Sequence, residues 1–198
     1  MLILWNEKLA ILAVPKTGTT AIEAALAPFA AMTYMRPPGV KHMTLRRFDR
    51  FIRPYLEKSG MSDVETFALM REPMDWLGSW YRYRRRDQIK GSEKSTSNVS
   101  FEEFVRAYLQ PGNRPAFADL GSQARQLCGK GGNIGVDHLF RYEEMDKAVR
   151  FLSARLGRNI ALEKSNVSQP MDLSLSPDLA ARLRQHFASD LEIYASIL

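Results

Sequence analysis

The chain has 198 residues, of which 45% are hydrophobic and 25% charged. At about 100–200 residues per domain, this predicts a single domain over residues 1–198 with its own core, and the composition excludes disorder and collagen-like repeats. A net charge of +6 favours an anionic partner, and a single cysteine, Cys128, excludes an intrachain disulfide.

Leu2–Trp5 and Leu9–Val14 read as short strands, with Asn6–Lys8 as a turn between them. The unbroken apolar run Leu9–Val14 suits a central strand buried on both faces, and Pro15 stops it. Residues from Gly18 to Leu26 suit a helix, with Ile22 and Leu26 four apart. Thr44–Leu56 predicts a basic amphipathic helix carrying Leu45, Phe48, Phe51 and Ile52 on one face. Glu65–Met70 is a second strand. Pro73 opens a helix running to about Arg85, at a position where its missing N–H costs nothing. Asp87–Asn98 is polar and rich in turn residues, which predicts a mobile loop over 87–99.

Ser100-Phe-Glu-Glu103 is a capping-box pattern in front of Phe101, Phe104, Val105 and Tyr108. Gly121–Cys128 predicts a short helix, Asp137–Phe140 a strand, and Glu143–Leu156 a helix stopped by Gly157. Ser176-Pro-Asp178 opens a last helix bearing Leu179, Leu183 and Phe187. Strands alternating with helices predict an α/β layer fold with a parallel sheet. No apolar run reaches the roughly 20 residues of a membrane span, and no secretory leader is legible, so a cytoplasmic protein is expected.

The segment that carries chemistry is Val14-Pro-Lys-Thr-Gly-Thr-Thr20. It joins a buried strand to a helix, so free backbone N–H groups gather at a helix N-terminus. Gly18 lets the backbone approach an oxyanion, Lys16 adds a full charge, and Thr17, Thr19 and Thr20 add hydroxyls. A polar strand–turn–helix joint is the ordinary reading of a lone glycine turn; a lysine and three threonines outweigh it. It is not a Walker A loop, because Lys16 precedes the glycine and no Gly-Lys pair follows. Arg71, rather than a magnesium-holding acid, ends the second apolar strand.

These residues resemble the phosphosulfate-binding loop of sulfotransferases that use 3′-phosphoadenosine 5′-phosphosulfate (PAPS). Arg71-Glu-Pro-Met-Asp-Trp-Leu-Gly-Ser79 resembles the family's second motif, an arginine at a strand end with a serine eight residues on. Phe140-Arg-Tyr-Glu143, Gly157 and Asn166-Val-Ser168 look like bacterial members of the group, related to the carbohydrate-type enzymes. The resemblance implies a P-loop-like three-layer fold, with a central, mainly parallel sheet flanked by helices. It implies sulfuryl transfer from PAPS to a hydroxyl or amine of a small-molecule or saccharide acceptor, with 3′-phosphoadenosine 5′-phosphate (PAP) as product. It also implies no metal, no nucleic-acid partner and no membrane span. By the same resemblance Lys16 acts on the leaving phosphate oxygen. Lys16, Thr17, Gly18, Thr19 and Thr20 hold the 5′-phosphate, and Arg71 and Ser79 the 3′-phosphate. Taken singly, Arg71 reads as a salt bridge to Glu72 or Asp75, and Ser79 as an ordinary helix residue.

Transfer to a hydroxyl needs a proton acceptor. His42, between the two motifs, is the candidate base, with Glu23 and Glu72 in reserve and a backbone-satisfied loop histidine as the alternative. His138 reads as structural and His186 as a partly exposed helix residue. Trp76, Trp80 and Tyr83 recur at helical spacing and read as core, with an adenine platform as the alternative. Arg82, Arg84, Arg85 and Arg86 read as a solvated helix end or, if functional, as contacts to an anionic acceptor. A magnesium-dependent nucleotide kinase, a non-catalytic PAP-binding protein and a nucleic-acid-binding protein remain as alternatives, to be separated by metal dependence, turnover and salt-dependent DNA binding.

Overall fold

The computed structural model describes residues 1–163 and 171–197, so Asn166-Val-Ser168 lies outside the described residues. Its strands are β1 Leu2–Leu4, β2 Leu9–Ile11, β3 Met32–Thr33, β4 Glu65–Met70 and β5 His138–Arg141. They form one five-stranded sheet in the order β3-β1-β2-β4-β5. Strands β2, β4 and β5 run parallel, with Leu9 opposite Glu65 and Phe67 opposite His138. β1 is antiparallel to both β2 and β3, so the sheet is mixed. The cause is local. The turn between β1 and β2 closes with Lys8 N–H on the Trp5 carbonyl at 3.2 Å, and so tight a connection permits only an antiparallel pair.

Side-chain alternation places a core on each face of the sheet. Leu2, Leu4, Leu9, Ile11, Phe67 and Leu69 pack on Ile22 and Leu26 of α1 (Thr19–Leu26) and on Ala148 and Leu152 of α8 (Met145–Leu156). Ile3, Ala10, Leu12, Ala68 and Met70 face the opposite way, onto Phe48, Leu56, Leu127 and Ile193. That second layer comprises α3 Leu45–Arg47, α4 Arg53–Lys58, α7 Gln123–Leu127 and α10 Ala188–Ser196. A third core joins α5 (Pro73–Arg84), α6 (Phe101–Leu109) and α9 (Pro177–His186) through Trp76, Tyr81, Phe104, Tyr108, Leu183 and Phe187. The fold is α/β, as expected.

Several expectations need correction. The helix expected over Thr44–Leu56 is interrupted by a wider π turn at Phe48–Ile52. Pro54, one residue into α4, has no N–H to offer the preceding turn, and the wider turn absorbs the mismatch. Ser176 precedes α9 but does not cap it with its side chain; its hydroxyl meets Glu102 Oε1 at 3.3 Å. β3, the one-turn α2 (Pro38–Lys41) and α10 had no counterpart in the sequence reading. The Ser100 capping box forms as expected, with Glu103 N–H on Ser100 Oγ at 3.2 Å and Ser100 N–H on Glu103 Oε2 at 2.8 Å.

Segment 87–99 runs through successive turns, and its far end is fixed. Thr96 is fully buried, with its hydroxyl on the Tyr81 carbonyl at 2.9 Å and its N–H on the Arg84 carbonyl at 3.1 Å. No helix among the described residues is long and apolar enough to cross a membrane.

Candidate active site

A cleft of about 780 Å3 opens over the C-terminal ends of β2 and β4. In sheets with parallel strands, ligands bind in the crevice outside the carboxyl ends of the strands. Lys16, Gly18, Thr19, Thr20, His42, Arg71 and Ser79 all line it. The two motifs, far apart in sequence, therefore meet at one site. Lys41, Arg82, Arg84, Arg86 and Lys94 also line it, and no carboxylate does so among the described residues. The cleft is a focused positive field.

The loop after β2 is fixed by backbone shape. Lys16 has φ +68° and Gly18 φ +72°, both left-handed. Gly18 needs this conformation and also the space. A Cβ there would lie 2.8 Å from Met145 Cε and 2.9 Å from Tyr142 Cε2. Lys16 adopts the same region with a side chain, which costs about 1–2 kcal/mol. The surroundings hold it there: Arg71 Nη1 donates to the Lys16 carbonyl at 3.3 Å, and Trp76 Nε1 to the Pro15 carbonyl at 2.9 Å.

The threonines divide their work differently from the sequence expectation. Thr17 Oγ1 donates to the Val14 carbonyl at 2.9 Å, and Thr19 Oγ1 donates to the same oxygen at 3.4 Å. Both hydroxyls thus brace the loop instead of facing a ligand, and Thr17 is fully buried. The reason is that β2 stops pairing at Ile11, three residues earlier: the buried Val14 carbonyl, without a ladder partner, needs donors. What remains for an anion is the opening of α1 at Thr19 and Thr20, the Ala21 N–H being taken by the Gly18 carbonyl at 3.1 Å, together with the exposed Thr20 side chain.

Lys16 extends into the cleft, its Nζ 4.2 Å from the centre of the Tyr83 ring and 6.0 Å from that of Trp80. Burial, with further lowering by Arg86, Arg71 and Arg82, brings its pKa down to about 8. The aromatic trio therefore divides: Trp76 is core, while Trp80 and Tyr83 line the cleft. Arg71 forms the anticipated pair with Asp75, Nε to Oδ2 at 2.7 Å, and still reaches the cleft with its guanidinium 4.5 Å from the Tyr142 ring centre. Ser79 lies two turns further along α5 on the cleft side.

Arg71 is held from behind by Gln123, whose side chain is fully buried. Gln123 Oε1 accepts the Arg71 N–H at 2.9 Å, and Nε2 donates to the Arg71 carbonyl at 2.8 Å. Gln123 is fixed in turn by Asp190 Oδ1, which accepts from the N–H groups of Gln123 at 2.9 Å and Ala124 at 3.0 Å. Sequence reading missed this clamp: a glutamine 52 residues away leaves no local trace. Tyr142 was inside a recognised segment, yet nothing there assigned it to the cleft wall.

His42 also lines the cleft, at the end of α2. Its Nδ1 lies 2.8 Å from the Ala13 carbonyl. A carbonyl can only accept, so the Nδ1 position carries the hydrogen and Nε2 is the basic nitrogen of the neutral ring. Burial holds the imidazolium below its ordinary pKa of 6.5, which keeps the ring neutral at pH 7. The reserve bases are committed elsewhere. Glu23 is buried between the Met1 ammonium and Lys41 Nζ, each at 2.7 Å, and Glu72 accepts the Asp75 N–H at 2.8 Å at the start of α5. His138 meets Glu65 at 3.1 Å and takes the structural place expected of it.

The arginine cluster is not a solvated helix end. Arg84 is buried, with its guanidinium on the Ala116 carbonyl at 2.7 Å, and Arg85 donates to the Tyr81 hydroxyl at 3.0 Å and the Thr96 carbonyl at 3.2 Å. Arg86 stacks over Tyr83 at 5.2 Å.

With this geometry in place, one comparison decides the family. A model described as the sulfotransferase family matches residues 1–195. The chain belongs to the sulfotransferase family. No curated protein and no solved structure matches it. Membership of this family makes the chain a transferase of sulfuryl groups, with a sulfate donor as co-substrate.

Proposed function

We propose that the chain transfers a sulfuryl group from PAPS to a hydroxyl, or an amine, of a small-molecule or saccharide acceptor. The observation that carries this reading is the convergence, on one cleft, of Lys16, the α1 N-terminus, Arg71, Ser79 and His42. The residues fit a nucleotide with two separate anionic ends. One cationic site lies at the β2–α1 joint and a second at the β4–α5 joint. The α1 N–H groups and Thr20 hold the 5′-phosphate, and Arg71 and Ser79 hold the 3′-phosphate.

PAPS supplies an activated sulfuryl group on a phosphate leaving group. The chain's own residues do the rest. His42 Nε2 accepts the proton of the acceptor hydroxyl as its oxygen bonds to sulfur. Lys16, protonated below about pH 8, places positive charge against the phosphate oxygen from which sulfur departs. This is catalysis by fixed position and by charge aimed at developing charge. Gly18, Gln123 and the inward-turned Thr17 and Thr19 hold those groups still.

The test is sulfuryl transfer from radiolabelled PAPS to a panel of phenols, simple saccharides and acidic saccharides, in EDTA, with wild type and Lys16→Ala. Labelled product from wild type and a loss of about 10²–10³ in the variant is expected. Labelling at equal rates by both would refute the assignment of Lys16, and no labelling from any acceptor would count against PAPS as the donor.

A further inference from the structure

Asp75 accepts from two arginines at once. Arg71 reaches Oδ2 through Nε at 2.7 Å and Nη2 at 2.5 Å, and Arg82 reaches Oδ1 through Nη2 at 3.1 Å. Both guanidinium groups line the cleft, as does Ser79, one turn before Arg82 on α5. The arginine side chains are 15% and 14% exposed, while Asp75 is 44% exposed. One carboxylate against two guanidinium groups leaves the cluster with a surplus positive charge. Of the four arginines from Arg82 to Arg86, two are spent on fixed oxygens of the surrounding chain and Arg86 stacks on an aromatic ring. Arg82 alone among the four is tied to Arg71.

We propose that Arg82 is a further ligand, with Arg71 and Ser79, of the nucleotide's 3′-phosphate, and that Asp75 is the internal counter-ion whose place the phosphate takes. This rests on the PAPS reading above. A phosphate monoester carries a charge of about −1.5 to −2 on three acceptor oxygens, more than one guanidinium neutralises. Two arginine forks presented side by side match it in charge and in shape. Without a ligand, two largely buried like charges need a partner, and Asp75 supplies it. Its exposure lets the carboxylate turn to water when a stronger anion arrives.

The test is calorimetric titration in EDTA with PAP and with adenosine 5′-phosphate, which lacks the 3′-phosphate. The proteins are wild type, Arg71→Ala, Arg82→Ala and Asp75→Asn. Arg82→Ala is expected to weaken PAP about 10- to 100-fold, the range for a charge-assisted hydrogen bond, and to leave adenosine 5′-phosphate within about 2-fold. The second ligand also reports that the variant is folded. Asp75→Asn is expected to tighten PAP and leave adenosine 5′-phosphate unchanged. An Arg82→Ala variant that loses PAP no more than adenosine 5′-phosphate, while Arg71→Ala loses PAP selectively, overturns the role of Arg82 and leaves the PAPS reading standing. Weaker PAP binding in Asp75→Asn overturns the counter-ion role. A wild type that does not distinguish the two nucleotides overturns the PAPS reading and this inference with it.

Discussion

The inner end of the cleft is walled by strand ends and the helices that spring from them; its mouth is walled by the turns of segment 87–99 and by the single turn of α2. At the inner end each functional group is fixed several times over. Gly18 is pressed by Tyr142 and Met145, Thr17 and Thr19 pin the loop to Val14, and Gln123 grips both backbone groups of Arg71. At the mouth, Gln88, Ile89, Ser92 and Lys94 depend on the Thr96 anchor and on local turns. The two walls differ in construction: one is braced by strand ends and buried side chains, the other by turns and a single buried threonine.

The largest way to sharpen that contrast is to remove the chemistry and keep the walls. His42→Ala is expected to lower turnover about 10²–10⁴-fold, with PAP affinity within about 2-fold of wild type. Equal losses of turnover and PAP affinity would remove His42 as base. The pH profile of kcat/KM tests both groups together. It should be a bell whose acid limb lies below 6.5, where His42 protonates, and whose alkaline limb lies near 8, where Lys16 loses its proton. A rate still rising at pH 9 would contradict the role given to Lys16.

The next test breaks the clamp. Gln123→Ala leaves two buried backbone groups of Arg71 without partners, at about 1–3 kcal/mol each. Denaturant unfolding should therefore show a large loss of stability, and PAP should lose affinity more than adenosine 5′-phosphate does. A loss of stability with the PAP preference intact would mean that Gln123 supports the fold and not Arg71. At the mouth, Thr96→Val removes one hydrogen bond at nearly constant shape, for about 1 kcal/mol of stability. It should raise the KM of the acceptor and leave PAP affinity alone; the reverse pattern would erase the distinction between the two ends.

Legibility in the sequence followed the same division. The Lys16 loop was readable because a buried apolar run followed by a polar turn and a helix is a local pattern; Arg71 and Ser79 were picked out only by the resemblance, and the strand read as Leu9–Val14 pairs only over Leu9–Ile11. That Glu23 is committed to Lys41 and the N-terminal ammonium, and so is a poorer candidate base than His42, is not visible in sequence. The inward turn of Thr17 and Thr19 was missed because the demand comes from one carbonyl, that of Val14, beyond the end of the β2 pairing. The antiparallel β1 is implied by the tight turn at Asn6–Lys8, which allows no parallel pair, but the expectation of a parallel sheet did not use it. The separate duties of Arg82 to Arg86 were missed for another reason: partners such as Ala116 and Thr96 come near only in the fold. Asn166-Val-Ser168, part of the resemblance, lies outside the described residues.

The remaining expected effects concern the cost of burying the Lys16 charge. Its folded pKa of about 8 lies below the 10.5 of the free side chain, so the folded state binds fewer protons between those values. Stability should then rise with pH from about 8 to 10.5, the full penalty being carried below 8. Lys16→Met should accordingly be more stable than wild type at pH 7, by about 1–2 kcal/mol after allowing for partial exposure, while inactive. Lys16→Gly should exceed Lys16→Ala in stability by about 1 kcal/mol, because glycine meets φ +68° without strain. Thermal unfolding at pH 7 ranks all three.

The central claim is that the two strand-to-helix joints hold the two phosphates of PAP. Calorimetric titration with PAP against ADP, in EDTA, on wild type and Arg71→Ala, tests it most directly. The account predicts tight, metal-free binding of PAP over ADP, lost in Arg71→Ala. Equal binding of the two nucleotides, or binding that appears only when magnesium is restored, would contradict it.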